Sequence, residues 1–336
     1  MATVQHLPMK TRLFYSAIVL CATVLLMESV VRLVNAVFPL QRPETLKDTY
    51  GSLLLSGEWL DGASRFYTYK PGVAKTHGHS FRVNSLGFRG PEFPPKTTRP
   101  RVVVMGDSIT SGIGIAEADR YTEVAERLVG RQVEIINLSI QGFDGPQYPM
   151  LLDRYGALLQ PDYVVLGFYI NDARTVWQRR YGLKLPSTLY YVLSHSLTFR
   201  VLLPYYDSLY RFAHGMPNED EILRQSFDPQ SRQWALFEKS VASVADWTLS
   251  HTHHTPTVLL VTDAIEANTE GFYQPSRALF EQARFTWLEA QRERPDKSIY
   301  EPVSRWEPHP NAYTHQRLGE ALAAWMQKTI VLTGSP

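Results

Sequence analysis

The chain has 336 residues, of which 44% are hydrophobic and 20% charged, with a formal charge of +1 at pH 7. That length and apolar content can bury a large core, and the near-neutral balance offers no basic face for nucleic acid. The single cysteine, Cys21, excludes an intrachain disulfide and a cysteine metal site.

Residues 13–27 carry no charge, and residues 13–40 hold only Glu28 and Arg32, four apart, which can pair on a helix at a membrane interface. Lys10 and Arg12 precede the run. The positive-inside rule then predicts a cytoplasmic stretch over 1–12, a transmembrane helix over 13–38, and the remainder in the periplasm or outside the cell. A signal peptide has a similarly short apolar core, but no clear A-x-A site follows and helical patterning continues through 30–38, so an uncleaved anchor is expected. Cys21 is then a small hydrophobe facing lipid.

Residues 39–100 read as a connector and small extended subdomain rich in Gly, Pro and aromatics, with strand-like pieces at 66–69 and 80–84. The stiff segment PEFPPKTTRP (91–100) marks the boundary to a domain over 101–336. There the pattern alternates: strand 102–105, helix 116–129, strand 133–137, helix 149–159 and strand 163–169. It continues with helix 232–249, strand 257–262, helix 275–282 and a last helix over 312–329. Strands separated by helices predict an α/β domain whose parallel sheet is covered on both faces, three layers in all. Residues 177–221 interrupt the rhythm with Trp177, Tyr190, Tyr191, Phe199, Tyr205, Tyr206, Tyr210 and Phe212. This aromatic insertion suits a lid, a helix leaning on the membrane, or a helical pair packed by its rings.

The chemistry gathers at strand ends. In RVVVMGDSITSGIG (101–114) a buried-strand run stops at Gly106-Asp107-Ser108 and turns toward a helix, putting the Ser108 hydroxyl at the carboxyl edge of the sheet, where open α/β folds hold ligands. Backbone N–H groups freed at that turn can stabilise an anion. Gly142 follows the second strand in NLSIQG, where a glycine lets its N–H approach a ligand closely. Asn171 follows the third in GFYIND, with an amide able to donate. His309 lies in EPHPN before the last helix. A nucleophile, a base and oxyanion donors are what acyl transfer needs.

GDSIT at 106–110, the glycine of NLSIQG at 142, IND at 170–172 and HPN at 309–311 together resemble, in order, the four blocks of the SGNH (GDSL) hydrolase family. The resemblance runs from Arg101 to the C-terminus, leaving out 177–221, and implies a flavodoxin-like SGNH domain. It implies Ser108 as nucleophile, His309 as base, and an oxyanion hole from the N–H groups of Ser108 and Gly142 with the Asn171 amide. Asp107 and Asp172 become supporting residues, Asp172 by fixing the Asn171 loop. The N-terminal pattern is similar to a membrane-anchored branch with a VNSLGFRG-like stretch (83–90), in which Asn84 and Arg89 are structural. One position departs: the family's Asp three residues before the histidine is Trp306 here. Glu307, two residues before His309, can still reach its Nδ1–H and hold the tautomer; failing that, a backbone carbonyl must orient the ring.

Other signals are weaker. The run His251-Thr252-His253-His254 reads as a solvated loop rather than a metal site. His315 suits packing or capping. The G-x-S-x-G elbow fails because Thr110 occupies its last glycine, and no phosphate loop is present. The expectation is an extracytoplasmic, membrane-tethered serine esterase that needs no cofactor or metal and acts on a small ester or an acylated glycan, with an acetyl or other short acyl group. Two rivals stand beside it. One is an O-acyltransferase using the same residues, supplied by a membrane-embedded acyltransferase partner as in polysaccharide-acetylating systems; the other is a glycan-binding protein whose triad is broken at Trp306.

Overall fold

The computed structural model describes residues 8–37, 54–60, 64–76, 79–174, 193, 196–268, 271–304 and 307–332. The connector before residue 54, Trp177, Tyr190, Tyr191 and Trp306 lie outside the described residues. In chain order the helices are α1 (Met9–Val37), α2 (Ser108–Ser111), α3 (Tyr121–Val129), α4 (Gln147–Leu159), α5 (Leu197–Ala213), α6 (Glu219–Ser226), α7 (Arg232–Thr252), α8 (Ala264–Ala267), α9 (Tyr273–Gln282) and α10 (Ala312–Met326). The strands are β1 (Leu54–Leu60), β2 (Ser64–Tyr69), β3 (Gly72–Thr76), β4 (His79–Val83), β5 (Arg101–Gly106), β6 (Glu134–Asn137), β7 (Tyr163–Phe168), β8 (Thr257–Leu260), β9 (Thr286–Leu288), β10 (Pro302–Ser304) and β11 (Glu307–Pro310). The chain forms two compact units, Met1–Lys47 with Arg180–Met216, and Asp48–Arg179 with Pro217–Pro336.

The larger unit is built on a parallel sheet in the order β6-β5-β7-β8-β9. By order of appearance this is the 2-1-3-4-5 arrangement of flavodoxin-like folds, so the α/β expectation holds. Side chains alternate across the sheet with period two. Val103, Met105, Leu166 and Leu260 face a cluster completed by α4, α7 and α9. Val102, Val104, Val165 and Leu259 face α3 and α10. The hairpins β1–β2 and β3–β4 contribute Phe66, Tyr67, Phe81 and Val83 to the first cluster.

Several boundaries differ from the sequence reading. The helix expected from 116 opens as a 3-10 turn (Glu117–Asp119), and α3 begins only at Tyr121 because Arg120 is extended at φ −61°, ψ 144°. α2 and β9 were not foreseen, and the residues before the last helix form the antiparallel hairpin β10–β11 instead of a plain loop. The last helix leaves α geometry at Met326 and closes with a π turn over Gln327–Val331.

In the smaller unit α1 has 29 residues, a best-window mean hydropathy of 2.2 and no buried residue, which by length and composition suffices to cross a membrane. It starts four residues before the predicted span. Glu28 and Arg32 pair at 2.7 Å as their spacing allows. Glu28 also has a role the sequence did not disclose. Its carboxylate accepts from Ser196 Oγ at 2.7 Å, Leu197 N at 2.9 Å and Thr198 N at 3.0 Å, capping the amino end of α5. Those amides have no partner inside α5, and an anion there also meets the positive end of the helix dipole. Val24, Met27, Phe199, Leu202 and Tyr206 line an apolar groove beside this cap. Leu202, Tyr205, Tyr206, Leu209 and Phe212 are exposed, on one face of α5 by their spacing.

Candidate active site

Strand β5 ends at Gly106, and Asp107 starts α2 by accepting the Ile109 N–H on Oδ1 at 2.9 Å. Ser108 is therefore the first residue of a four-residue helix that Gly112 stops at φ 75°, in the left-handed region glycine tolerates. A Cβ on Gly106 or Gly167 would overlap the Thr110 hydroxyl, so these two glycines make room for that side chain between β5 and β7. Thr110 Oγ1 in turn accepts from Tyr121 Oη at 3.0 Å.

Asp107 is where the blocks converge. Ser108 Oγ donates to its Oδ2 at 3.2 Å, and the Asn171 side chain lies near the carboxylate. Burial raises the Asp107 pKa, opposed by the Ile109 N–H, by the nearby His309 and by these side chains.

His309 comes from β11, which packs against α2. Its Nδ1 is 2.5 Å from Glu307 Oε1, and the same oxygen accepts the His309 backbone N–H at 3.2 Å. Glu307 is 4% exposed, so its charge is directed at the imidazole rather than at water. Gly114 (φ 84°) allows this hairpin to close on the serine loop, since a Cβ there would sit 2.9 Å from Val303 Cγ2 and 3.4 Å from Glu307 Cγ. The other histidine of this region differs. His315 is fully buried, accepts the Tyr121 N–H on Nδ1 at 3.2 Å, and is pulled down to about 3 by burial, then by Arg120, Arg89 and His309. It stays neutral and packs, unfit to cycle a proton near pH 7.

The third strand end supplies Asn171 within a 3-10 turn, Ile170–Ala173. Asp172 accepts from Tyr169 N at 3.0 Å and Tyr148 Oη at 2.7 Å, anchoring that turn. Burial pushes the Asp172 pKa well up, and Asp107 pushes it further. The second strand end supplies Gly142 at φ 78°. Asn137 ties this loop to the first by donating to Thr110 O and Thr122 Oγ1, each at 2.9 Å. Among the described residues, no backbone acceptor receives the N–H of Ser108 or of Gly142.

Residues from before the sheet also hold the site. The Arg89 guanidinium donates to the carbonyls of Ser111 at 3.1 Å, Gly112 at 2.5 Å and Ile115 at 2.8 Å, pinning the serine loop from behind. Asn84 Oδ1 shapes the preceding turn by accepting from Leu86 N at 3.1 Å and Phe88 N at 2.9 Å. Sequence reasoning missed Tyr67 and Tyr69, whose hydroxyls both bond the backbone of Gln141. Their i, i+2 spacing on a predicted strand put them on one face, yet nothing in the sequence named their partner. The histidine run expected as a loop begins inside α7, which continues to Thr252: His251 stacks on Trp247 at 4.1 Å, and His254, beyond the helix end, stacks on Tyr163 at 4.3 Å.

No protein-family model matches the chain, and no curated protein does. The chain is similar to 49 chains of solved structures. A lipolytic protein of the G-D-S-L family from Veillonella parvula aligns at 11% identity and a TM-score of 0.38, covering 69% of this chain and 98% of that one. The native aryl esterase of M. smegmatis aligns at 14% and 0.36, covering 69% and 100%. Est24, a carbohydrate acetylesterase from Sinorhizobium meliloti, aligns at 13% and 0.36, covering 68% and 99%. Likeness of that extent carries no statement about activity.

Proposed function

We propose that the chain is a serine esterase of the SGNH type, tethered to a membrane by α1, with its larger unit on the periplasmic or outer side. The observation that carries the reading is the Glu307–His309 pair, 2.5 Å apart on a strand packed against the Ser108 turn. Asp107, Asn171 and Gly142 come from the neighbouring strand ends. Ser108 Oγ turns from Asp107 toward the imidazole, gives its proton to His309 Nε2 and attacks the ester carbonyl. Glu307 fixes the tautomer and stabilises the imidazolium. The Ser108 and Gly142 N–H groups and the Asn171 amide receive the oxyanion. His309 returns the proton to the leaving alcohol, and water, deprotonated in the same way, releases the acid from the acyl-enzyme.

The substrate class is a short acyl ester, acetyl foremost, on a glycan outside the membrane; the motif resemblance and the polarity of the α1 flanks support it. Purified full-length chain in detergent is expected to turn over p-nitrophenyl acetate and to label with a fluorophosphonate. Ser108→Ala and Glu307→Gln should each lose about a hundredfold or more in kcat. Turnover unchanged by Glu307→Gln would leave His309 without its proposed orienting partner. Release of free acetate from an acetylated glycan supports the esterase, whereas acylated acceptor sugar reassigns the site to transfer. No labelling with glycan still bound makes the protein a binding module.

A further inference from the structure

Gly142 is a demanding place for an oxyanion donor. A glycine at φ 78° follows a turn peptide whose plane can rotate at little steric cost, and rotation would aim the Gln141 carbonyl where the Gly142 N–H should point. Because the peptide is planar and trans, the Gln141 C=O and the Gly142 N–H point in opposite directions within one plane. Whatever fixes the carbonyl therefore fixes the amide.

Strand β2 fixes it. Tyr67 Oη donates to the Gln141 carbonyl at 2.6 Å, and Tyr69 Oη accepts the Gln141 N–H at 2.9 Å. Both rings are buried, at 8% and 2% exposure, so water competes little for these bonds. Strand periodicity puts residues i and i+2 on one face, which is how two hydroxyls come to reach the two backbone groups of one residue. Phe143 on the far side of Gly142 is held by the same strand, 5.1 Å from the Tyr67 ring and 5.4 Å from Phe66. Donation into the carbonyl also polarises the peptide, making its N–H a stronger donor.

We propose that Tyr67 and Tyr69 are positioning residues for the oxyanion hole: Tyr67 holds the Gln141–Gly142 peptide by its carbonyl and Tyr69 holds the peptide before it by its N–H, so that the Gly142 N–H faces the reacting carbonyl. The inference rests on the esterase reading above, and it gives the hairpin before the sheet a part in the reaction. Neither tyrosine touches substrate; both act through Gly142.

Tyr67→Phe tests it, because phenylalanine keeps the ring against Phe143 and removes only the donor. The sequence contains one Gln-Gly dipeptide, residues 141–142. Labelling glutamine carbonyls with 13C and glycine nitrogens with 15N therefore isolates this peptide as a single NMR correlation in the full-length chain. In Tyr67→Phe that signal should shift and broaden, while kcat for p-nitrophenyl acetate falls about 10- to 100-fold with KM within about twofold. Tyr69→Phe should move the same signal, with a smaller loss in kcat. An unmoved signal in Tyr67→Phe, or a moved one with wild-type kcat, overturns the inference while the esterase reading stands. A wild type that neither turns over ester nor labels with fluorophosphonate removes that reading, and the inference falls with it. A loss matched by a large rise in KM, with kcat intact, assigns the tyrosines to substrate binding and also overturns it.

Discussion

Asp144 lies two residues beyond Gly142, 4% exposed, with an Oδ1 that has no hydrogen-bond partner. Burial pushes its pKa well above the usual carboxylate value, and only the charge of Arg174 opposes this. The folded chain therefore keeps a proton that the unfolded chain loses near pH 4. Stability from this group is present below that pH and is lost as pH rises toward the folded-state value. Asp144→Asn removes the dependence: thermal melts should find the variant gaining on wild type as pH rises above about 4. Equal melting differences across that rise would refute this account. Asp107 and Asp172, also raised by burial, keep hydrogen-bond partners and are poorer subjects for such a test.

Among elements, the pair α3 and α10 decides whether the serine side of the sheet is covered. They pack closely at Gly319, where a Cβ would lie 2.5 Å from Val124 Cγ1 and 2.9 Å from the Tyr121 carbonyl. The second neighbour is backbone at the start of α3, so the clash cannot be relieved by a rotamer change. Gly319→Ala is expected to cost about 1–3 kcal/mol, read from urea unfolding; a neutral result would mean that the helices slide apart freely. Element by element, what the sequence disclosed depended on length and continuity. The runs that became β5, β7 and β8 were legible because buried parallel strands need unbroken apolar stretches. β9 has three residues, none of them buried, α2 has four residues, and β11 carries Pro308 and Pro310, so none shows a period or an apolar run. The polar blocks at 106–110, 170–172 and 309–311 stood out because each adjoins a strand or helix boundary, and Gly142 because it follows the apolar run of β6 in the loop before α4. The tyrosines of β2 and the second role of Glu28 were not, because both depend on partners 74 and 168 residues away.

At the level of the whole chain, the helix α1 is about 43 Å long at 1.5 Å per residue, against about 30 Å of bilayer core. Its uncharged run ends at Glu28, so a spanning α1 brings the Glu28–Arg32 pair and the start of α5 near the far boundary of the hydrocarbon. An amphipathic helix with Tyr205, Tyr206 and Phe212 exposed suits that interface. Alkaline extraction of membranes should leave the full-length protein in the pellet; recovery in the supernatant would argue against a spanning α1. The cap on α5 has a practical corollary for preparing the protein. Expression from residue 38 onward discards the carboxylate that three donors lean on and strips one wall from an oily cleft, so the shortened polypeptide should clump or demand detergent despite having shed its most apolar helix.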